Sequence, residues 1–155
     1  MILSKDVEAF VRESNAIEKI FRDSTHEEID EFIRFVSLDI VKIKDLEQFV
    51  SIYQPGAHLR TGPFDNVYIG GKLAPVGGPE IDIELEYLLV THDNAHHLHT
   101  VYERLHPFTD CNGRSGRALW AWRNGSIKDG FLLSYYYQTL GVHPENLYPE
   151  NTFDF

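Results

Sequence analysis

The sequence predicts a mainly α-helical domain that carries one small β-hairpin. Three observations lead there. Apolar residues recur at three- and four-residue spacing along most of the chain, the period of amphipathic helices. Thr25-His26-Glu27-Glu28 is a capping box, the signature of a helix start. Two short extended stretches flank Gly70-Gly71, as the arms of a hairpin flank its turn. The 155 residues suffice for one ordinary domain, spanning 1–155, and contain no repeat, low-complexity tract or linker.

Val7, Val11, Ser14, Glu18 and Phe21 fall on one helical face, with Phe10, Ile17 and Ile20 alongside. Residues 1–23 are therefore expected to hold an amphipathic helix with a carboxylate on or beside its apolar stripe. The capping box opens a second helix through Ile29, Phe32, Ile33 and Val36. Asp45 to Tyr53 repeats the pattern with Leu46, Phe49 and Val50, closed by Pro55-Gly56. Asn66–Ile69 and Leu73–Val76 form the hairpin arms, and Pro75 marks it as an edge or isolated ribbon. Pro79 starts a helix holding Ile81, Leu85, Leu88 and Leu89, and another runs from about Asp93 to Leu105, stopped by Pro107. A further helix is expected from about Gly113 to Trp122, ending before Gly125. Phe131–Leu140 is read as helix despite the strand propensity of Tyr135-Tyr136-Tyr137, and the tail after Gly141 as coil.

The net charge of −10 argues against nucleic-acid binding, which calls for a basic stripe. A single cysteine forms no internal disulfide, which suits a reducing compartment. No apolar run approaches membrane-spanning length and the N-terminus lacks a basic region followed by an apolar core. A soluble, cytoplasmic protein is expected. Oligomeric state is not legible.

The most informative stretch is His106-Pro-Phe-Thr-Asp-Cys-Asn-Gly-Arg-Ser-Gly-Arg117. It sets Arg114 and Arg117 one turn apart after an Asp-Cys-Asn-Gly turn, so a helix starting there carries both on its first turn. That end of a helix already presents exposed N–H groups and partial positive charge, so cations there call for an anion, and phosphate fits best. Upstream stand a titratable His106 and a hard oxygen ligand, Asp110, suited to Mg²⁺ carrying phosphates. Base, metal ligand and phosphate cradle together describe a nucleotide-using transferase. The rival constellations are poorer. His92 and His96 have i, i+4 zinc spacing, but Asp93 and Asn94 stand where a zinc protease needs its glutamate, so helix histidines are the preferred reading. Gly70-Gly71 and Gly77-Gly78 lack the Gly-Lys-Ser/Thr ending of a phosphate loop and read as turns.

This stretch resembles the signature of the Fic domain family, His-x-Phe-x-Asp/Glu-Gly-Asn-Gly-Arg-x-x-Arg; every fixed position matches except that Cys111 stands for a glycine. Leu98-His99 matches the family's Leu-His before the motif, and Arg60 through Ile69 resembles the approach to its target-docking flap, which would place Val67 and Ile69 at the docking edge. Ser14-Asn15-Ala16-Ile17-Glu18-Lys19 resembles the inhibitory motif Ser/Thr-x-x-x-Glu-Gly/Asn, with Lys19 replacing the small or amide residue. The region after Gly130 has no counterpart.

The resemblance implies a Fic-type helical domain with a hairpin flap and a protein AMP-transferase activity. His106 would be the general base, taking a proton from a Ser, Thr or Tyr hydroxyl of a target protein. Asp110 would hold Mg²⁺, Asn112 the α-phosphate and the loop, and Gly113 would let backbone approach the phosphates of ATP. Arg114 and Arg117 would neutralise the β- and γ-phosphates, and Phe108 would anchor the loop. Ser14 and Glu18 would form the inhibitory motif, Glu18 pairing with Arg117. If the family glycine at position 111 needs positive φ, Cys111 costs roughly 1 kcal/mol or more. The related Doc toxins, which phosphorylate their target, carry alanine there and lysine at the next glycine, whereas Gly113 is kept here. The thiol is either activated by the helix N-terminus or a packed space-filler, the latter preferred. Two alternatives stay open: a Fic-fold transferase moving phosphate, UMP or phosphocholine, and a silent interaction module.

Overall fold

The computed structural model describes residues 4–91 and 94–127. Helix α1 spans Ser4–Ile17, α2 His26–Val36 and α3 Ile43–Tyr53; strands β1 (Tyr68–Ile69) and β2 (Lys72–Leu73) follow; then come α4 (Pro79–Val90), α5 (Ala95–Leu105) and α6 (Asn112–Asn124). The fold is mainly helical with one two-stranded antiparallel ribbon, as the periodicity predicts. Phe131–Leu140 and His92 lie outside the described residues. Among the described residues no helix is long and apolar enough to cross a membrane.

Local chemistry explains most boundaries. The Thr25 hydroxyl accepts the Glu28 N–H at 3.1 Å while the Glu28 carboxylate accepts the Thr25 N–H at 2.9 Å, completing the capping box. Pro79 opens α4 where its missing N–H costs nothing. Asn94 caps α5 through the His97 N–H at 2.9 Å. Gly70 and Gly71 turn the ribbon at φ 51° and 81°, pairing Tyr68 with Leu73 and Ile69 with Lys72. The strands are shorter than the expected arms, and Val67 lies just before β1, though its carbonyl still accepts the Ala74 N–H at 2.9 Å.

The first helix departs from expectation. It ends at Ile17 and does not reach residue 23. Lys19 takes the left-handed conformation at φ 63°, its N–H bonding to Ala16 O and that of Ile20 to Asn15 O. This is a Schellman termination, which normally recruits glycine or asparagine at the left-handed position. With lysine there, the sequence carried no stop signal. Glu18 is thus the last residue of the turn, and Phe21, expected on the apolar face, is 81% exposed.

Helix α6 is the centre of the domain, packed against α1, α2, α3 and α5. Residues Asn112 and Arg114 to Ala121 are all buried. Its closest neighbour is α5: a Cβ on Gly116 would collide with the Glu103 carboxylate and crowd the Tyr102 ring, so any larger residue would force those side chains to move. Around α6 the core is aromatic and branched-aliphatic: Phe32, Phe35, Leu46, Phe49, Leu85, Leu98 and Leu119 are each at most 2% exposed. Burying one such side chain contributes about 1.5–3 kcal/mol. Tyr53 stacks on Phe49 at 4.1 Å and donates its hydroxyl to Glu28 O at 2.7 Å, tying α3 to the start of α2.

Candidate active site

A cavity of about 350 Å³ opens where the α5–α6 loop, the end of α1 and the hairpin meet; Glu18, Val67, His106, Asp110, Gly113 and Arg114 are among its lining residues. Of the residues in the His106–Arg117 stretch expected to act, His106, Asp110, Asn112, Gly113 and Arg114 line it, while Arg117 is buried behind Glu18. The loop is shaped by its own side chains. Phe108 is wholly buried, and its backbone is held at both ends by Asn112, whose Oδ1 accepts the Phe108 N–H at 2.9 Å and whose Nδ2 donates to Phe108 O at 2.8 Å. Asn112 thus fills the loop-holding half of its expected role.

His106 sits just past α5 in the left-handed conformation, φ 51°. Its Nδ1 lies 3.1 Å from Glu103 O. A carbonyl can only accept, so Nδ1 is the donor in this contact, and in the neutral ring Nε2 is then the nitrogen that can accept a proton. That is the arrangement a general base needs.

Asp110 is exposed; its Oδ1 accepts the Cys111 N–H at 2.7 Å. Among the described residues no group of three or more His, Cys, Asp or Glu could cage a metal. The donor set is one accessible carboxylate, and that fits Mg²⁺, which is commonly held by one or two carboxylates with substrate phosphates completing its shell. Of the described histidines in the tract, His96 and His97 are exposed and buried His99 faces Glu103 at 3.4 Å; His92, the other half of the His92–His96 pair, lies outside the described residues.

Cys111 stands at φ 69°, so the residue where the family has glycine does require the left-handed region. Burial pushes its thiol up to about 12, with Arg114 only partly opposing. The thiol is a space-filler, not a nucleophile at neutral pH.

Helix α6 begins at Asn112, so Arg114 is on its first turn and Arg117, expected beside it, is on the second. Long helical side chains lean back toward the N-terminus, which still delivers both guanidiniums to the same end. Their partners differ. Arg114 is 4% exposed and donates to Tyr53 O at 3.1 Å and Gln54 Oε1 at 3.0 Å, and its Nε lacks an acceptor. Among the described residues no carboxylate pairs with it. Arg117, fully buried, donates through Nε to Ser14 Oγ at 2.7 Å and through Nη2 to Ser14 O at 2.9 Å and Glu18 Oε1 at 2.7 Å.

Two helix ends are satisfied reciprocally by this contact. Ser14 O is a last-turn carbonyl of α1, where a cation is favourable, and Arg117 supplies one. Glu18, an anion ill placed at the C-terminus of its own helix, lies against the N-terminus of α6, where an anion is wanted. The approach is so close that a Cβ on Gly113 would collide with Glu18 Oε1. Ser14, Glu18 and Arg117 therefore come together as the sequence resemblance implies, although Glu18 sits beyond the helix rather than on it.

The position of α1 is set from behind. Asn15 Nδ2 donates to Glu28 Oε2 at 2.9 Å and Arg22 Nη1 to Glu28 Oε1 at 2.6 Å. Burial raises the Glu28 carboxyl, but the hydrogen bonds from Arg22, Thr25 and Asn15 together outweigh it and hold the group below the usual glutamate range. On the opposite wall Val67 and Tyr68 line the cavity while Ile69 does not; Tyr68 is 69% exposed. Sequence reasoning missed Asn15 and Gln54, whose contacts with Glu28 and Arg114 are long-range and leave no local pattern, and Glu103, which acts on His106 through a backbone carbonyl that its side chain does not announce.

No family model, no curated protein and no solved structure matches the chain.

Proposed function

We propose that this protein transfers AMP from ATP to a hydroxyl side chain of a target protein, and that Glu18 holds it in a restrained state. The observation that carries the reading is the unequal pairing of the two arginines. Arg114 is a buried cation with no carboxylate partner among the described residues, while Arg117 is met by an internal carboxylate laid against the α6 N-terminus. A buried guanidinium without a counter-ion is unfavourable unless an anion comes to it. Glu18 occupies part of the place that a polyphosphate would take.

In the reaction the target oxygen attacks the α-phosphorus, the bond to pyrophosphate breaks, and the hydroxyl proton passes to His106 Nε2. His106 is fixed for this by its Nδ1–H bond to Glu103 O. Arg114 and, once released, Arg117 bind the departing phosphates, and the glycine at 113 leaves room for them. Mg²⁺ held by Asp110 would neutralise charge developing on the phosphate oxygens. The cavity of about 350 Å³ is at the small end for a ligand site, as expected with Glu18 inside it.

Intact-mass spectrometry after incubation with ATP, Mg²⁺ and a hydroxyl-bearing protein acceptor tests this. Glu18→Gly should add one AMP mass to the acceptor or to itself. Glu18→Gly with His106→Ala should lose at least about a hundredfold in rate while still binding ATP, the scale of a missing general base. Equal rates in the two variants remove His106 from the chemistry, and a phosphate mass in place of AMP overturns the identity of the moved group.

A further inference from the structure

The hairpin is too small to hold its own place: its strands are two residues each and both are largely exposed. Behind it stands Arg60, wholly buried and without a salt bridge among the described residues. Its guanidinium serves four carbonyls on two separate pieces of chain. Nε and Nη2 donate to His106 O at 2.6 Å and Leu105 O at 2.9 Å, at the C-terminus of α5. Nη1 donates to Asp65 O at 3.1 Å and Pro75 O at 2.8 Å, the two roots of the hairpin. Its backbone continues the junction: Arg60 N–H donates to Pro107 O at 2.9 Å, and Arg60 O accepts from Gly78 N–H at 2.9 Å. The crossing is tight, since a Cβ on Gly77 would meet Gly62 O at 2.7 Å and Asp65 O at 2.9 Å.

A cation at a helix C-terminus is favourable, which explains half of these bonds. It does not explain why the same fork grips the hairpin roots. Burial lowers the Arg60 pKa and Asp65 only partly compensates, so the fold accepts a desolvated charge here for a geometric return. The planar fork can hold carbonyls on two sides at fixed angles, which an ammonium cannot.

We infer that Arg60 is a positioning residue, locking the hairpin and His106 into one rigid unit so that an acceptor docked on the hairpin presents its hydroxyl at a fixed distance from Nε2. This rests on the transferase reading above. The two arginines assigned to the phosphates are held by other groups, Arg114 by Tyr53 O and Gln54 Oε1 and Arg117 by Ser14 and Glu18.

In the Glu18→Gly background, Arg60→Lys should lower kcat for acceptor modification by about a hundredfold, the cost of an ångström-scale misplacement, with ATP affinity unchanged. Unchanged kcat, or parallel losses of ATP affinity and kcat, overturns the assignment. A second measurement needs neither activity nor a variant. By native-state hydrogen exchange, the amides of Ala74, Gly78, Arg60 and Thr109 should open as one unit with a common free energy. Should the hairpin amide of Ala74 open well below the others, Arg60 does not couple the two pieces. If exchange is cooperative and no nucleotide is transferred by any variant, the coupling stands and the transferase reading falls.

Discussion

On the α1 side of the cavity, buried Arg117 makes three hydrogen bonds to Ser14 and Glu18, and Asn15 ties the same turn to Glu28. On the hairpin side, Tyr68 and Leu73 are 69% and 52% exposed, and a buried charge, Arg60, stands behind the ribbon rather than in it. The α1 wall meets the site with desolvated charge, so its closure depends on a few atoms and responds steeply to losing one of them. The hairpin wall meets the site with largely exposed residues, as the proposed docking role requires, while its position is held from below. One wall is suited to restraint and the other to docking.

The largest effect expected on this contrast is at Glu18. Each 1.4 kcal/mol of lost clamping is worth about tenfold in competent population. Because the guanidinium is fully buried, Glu18→Gly should raise AMP incorporation by at least about tenfold, beyond what an exposed pair of under roughly 1 kcal/mol allows. The gain should vanish in Glu18→Gly with Arg117→Ala, since on the proposed reading the freed arginine would bind the γ-phosphate. A folded Glu18→Gly protein no faster than wild type means that the α1 wall is merely structural.

A smaller effect is expected at the hairpin. Ile69→Pro removes the donor that pairs Ile69 with Lys72 inside the ribbon and fixes φ there, distorting the edge that an extended acceptor would join. Losing two backbone hydrogen bonds at about 0.7 kcal/mol each should lower acceptor modification about tenfold at most, with no change in ATP affinity by calorimetry. If modification is untouched, acceptors dock elsewhere.

The smallest is at Lys19. A non-glycine residue in the left-handed region costs roughly 1 kcal/mol, so Lys19→Gly should stabilise the turn that presents Glu18. Basal transfer should fall by up to about fivefold and the melting temperature should rise. A higher basal rate in this variant would show that the strained lysine helps to hold the clamp.

Much of the site was legible because its signals are local. The Ser14–Glu18 interval, the capping box, the glycine pair of the hairpin and the ordered loop from His106 to Arg117 each place a few atoms relative to near neighbours. The end of α1 was not legible, because the residue at its left-handed stop is a lysine and carries none of the preference for glycine or asparagine that marks such stops. The central place of α6 was equally hidden: a helix containing Asn112, Arg114, Ser115 and Arg117 has no apolar stripe, yet it is buried on nearly every side.

The sequence by itself therefore determined the helical class, the order of the elements and which residues could do chemistry, since period, caps and turn residues act over a few positions. Only the tertiary structure decided how the other charges are partnered. The pairing of Arg117 with Glu18 is what the resemblance implies, but the packed molecule left Arg114 to the Tyr53 carbonyl and Gln54 and buried Arg60 beneath four carbonyls. Those choices depend on which groups lose water together, and desolvation is a property of the packed molecule that no local run of residues specifies.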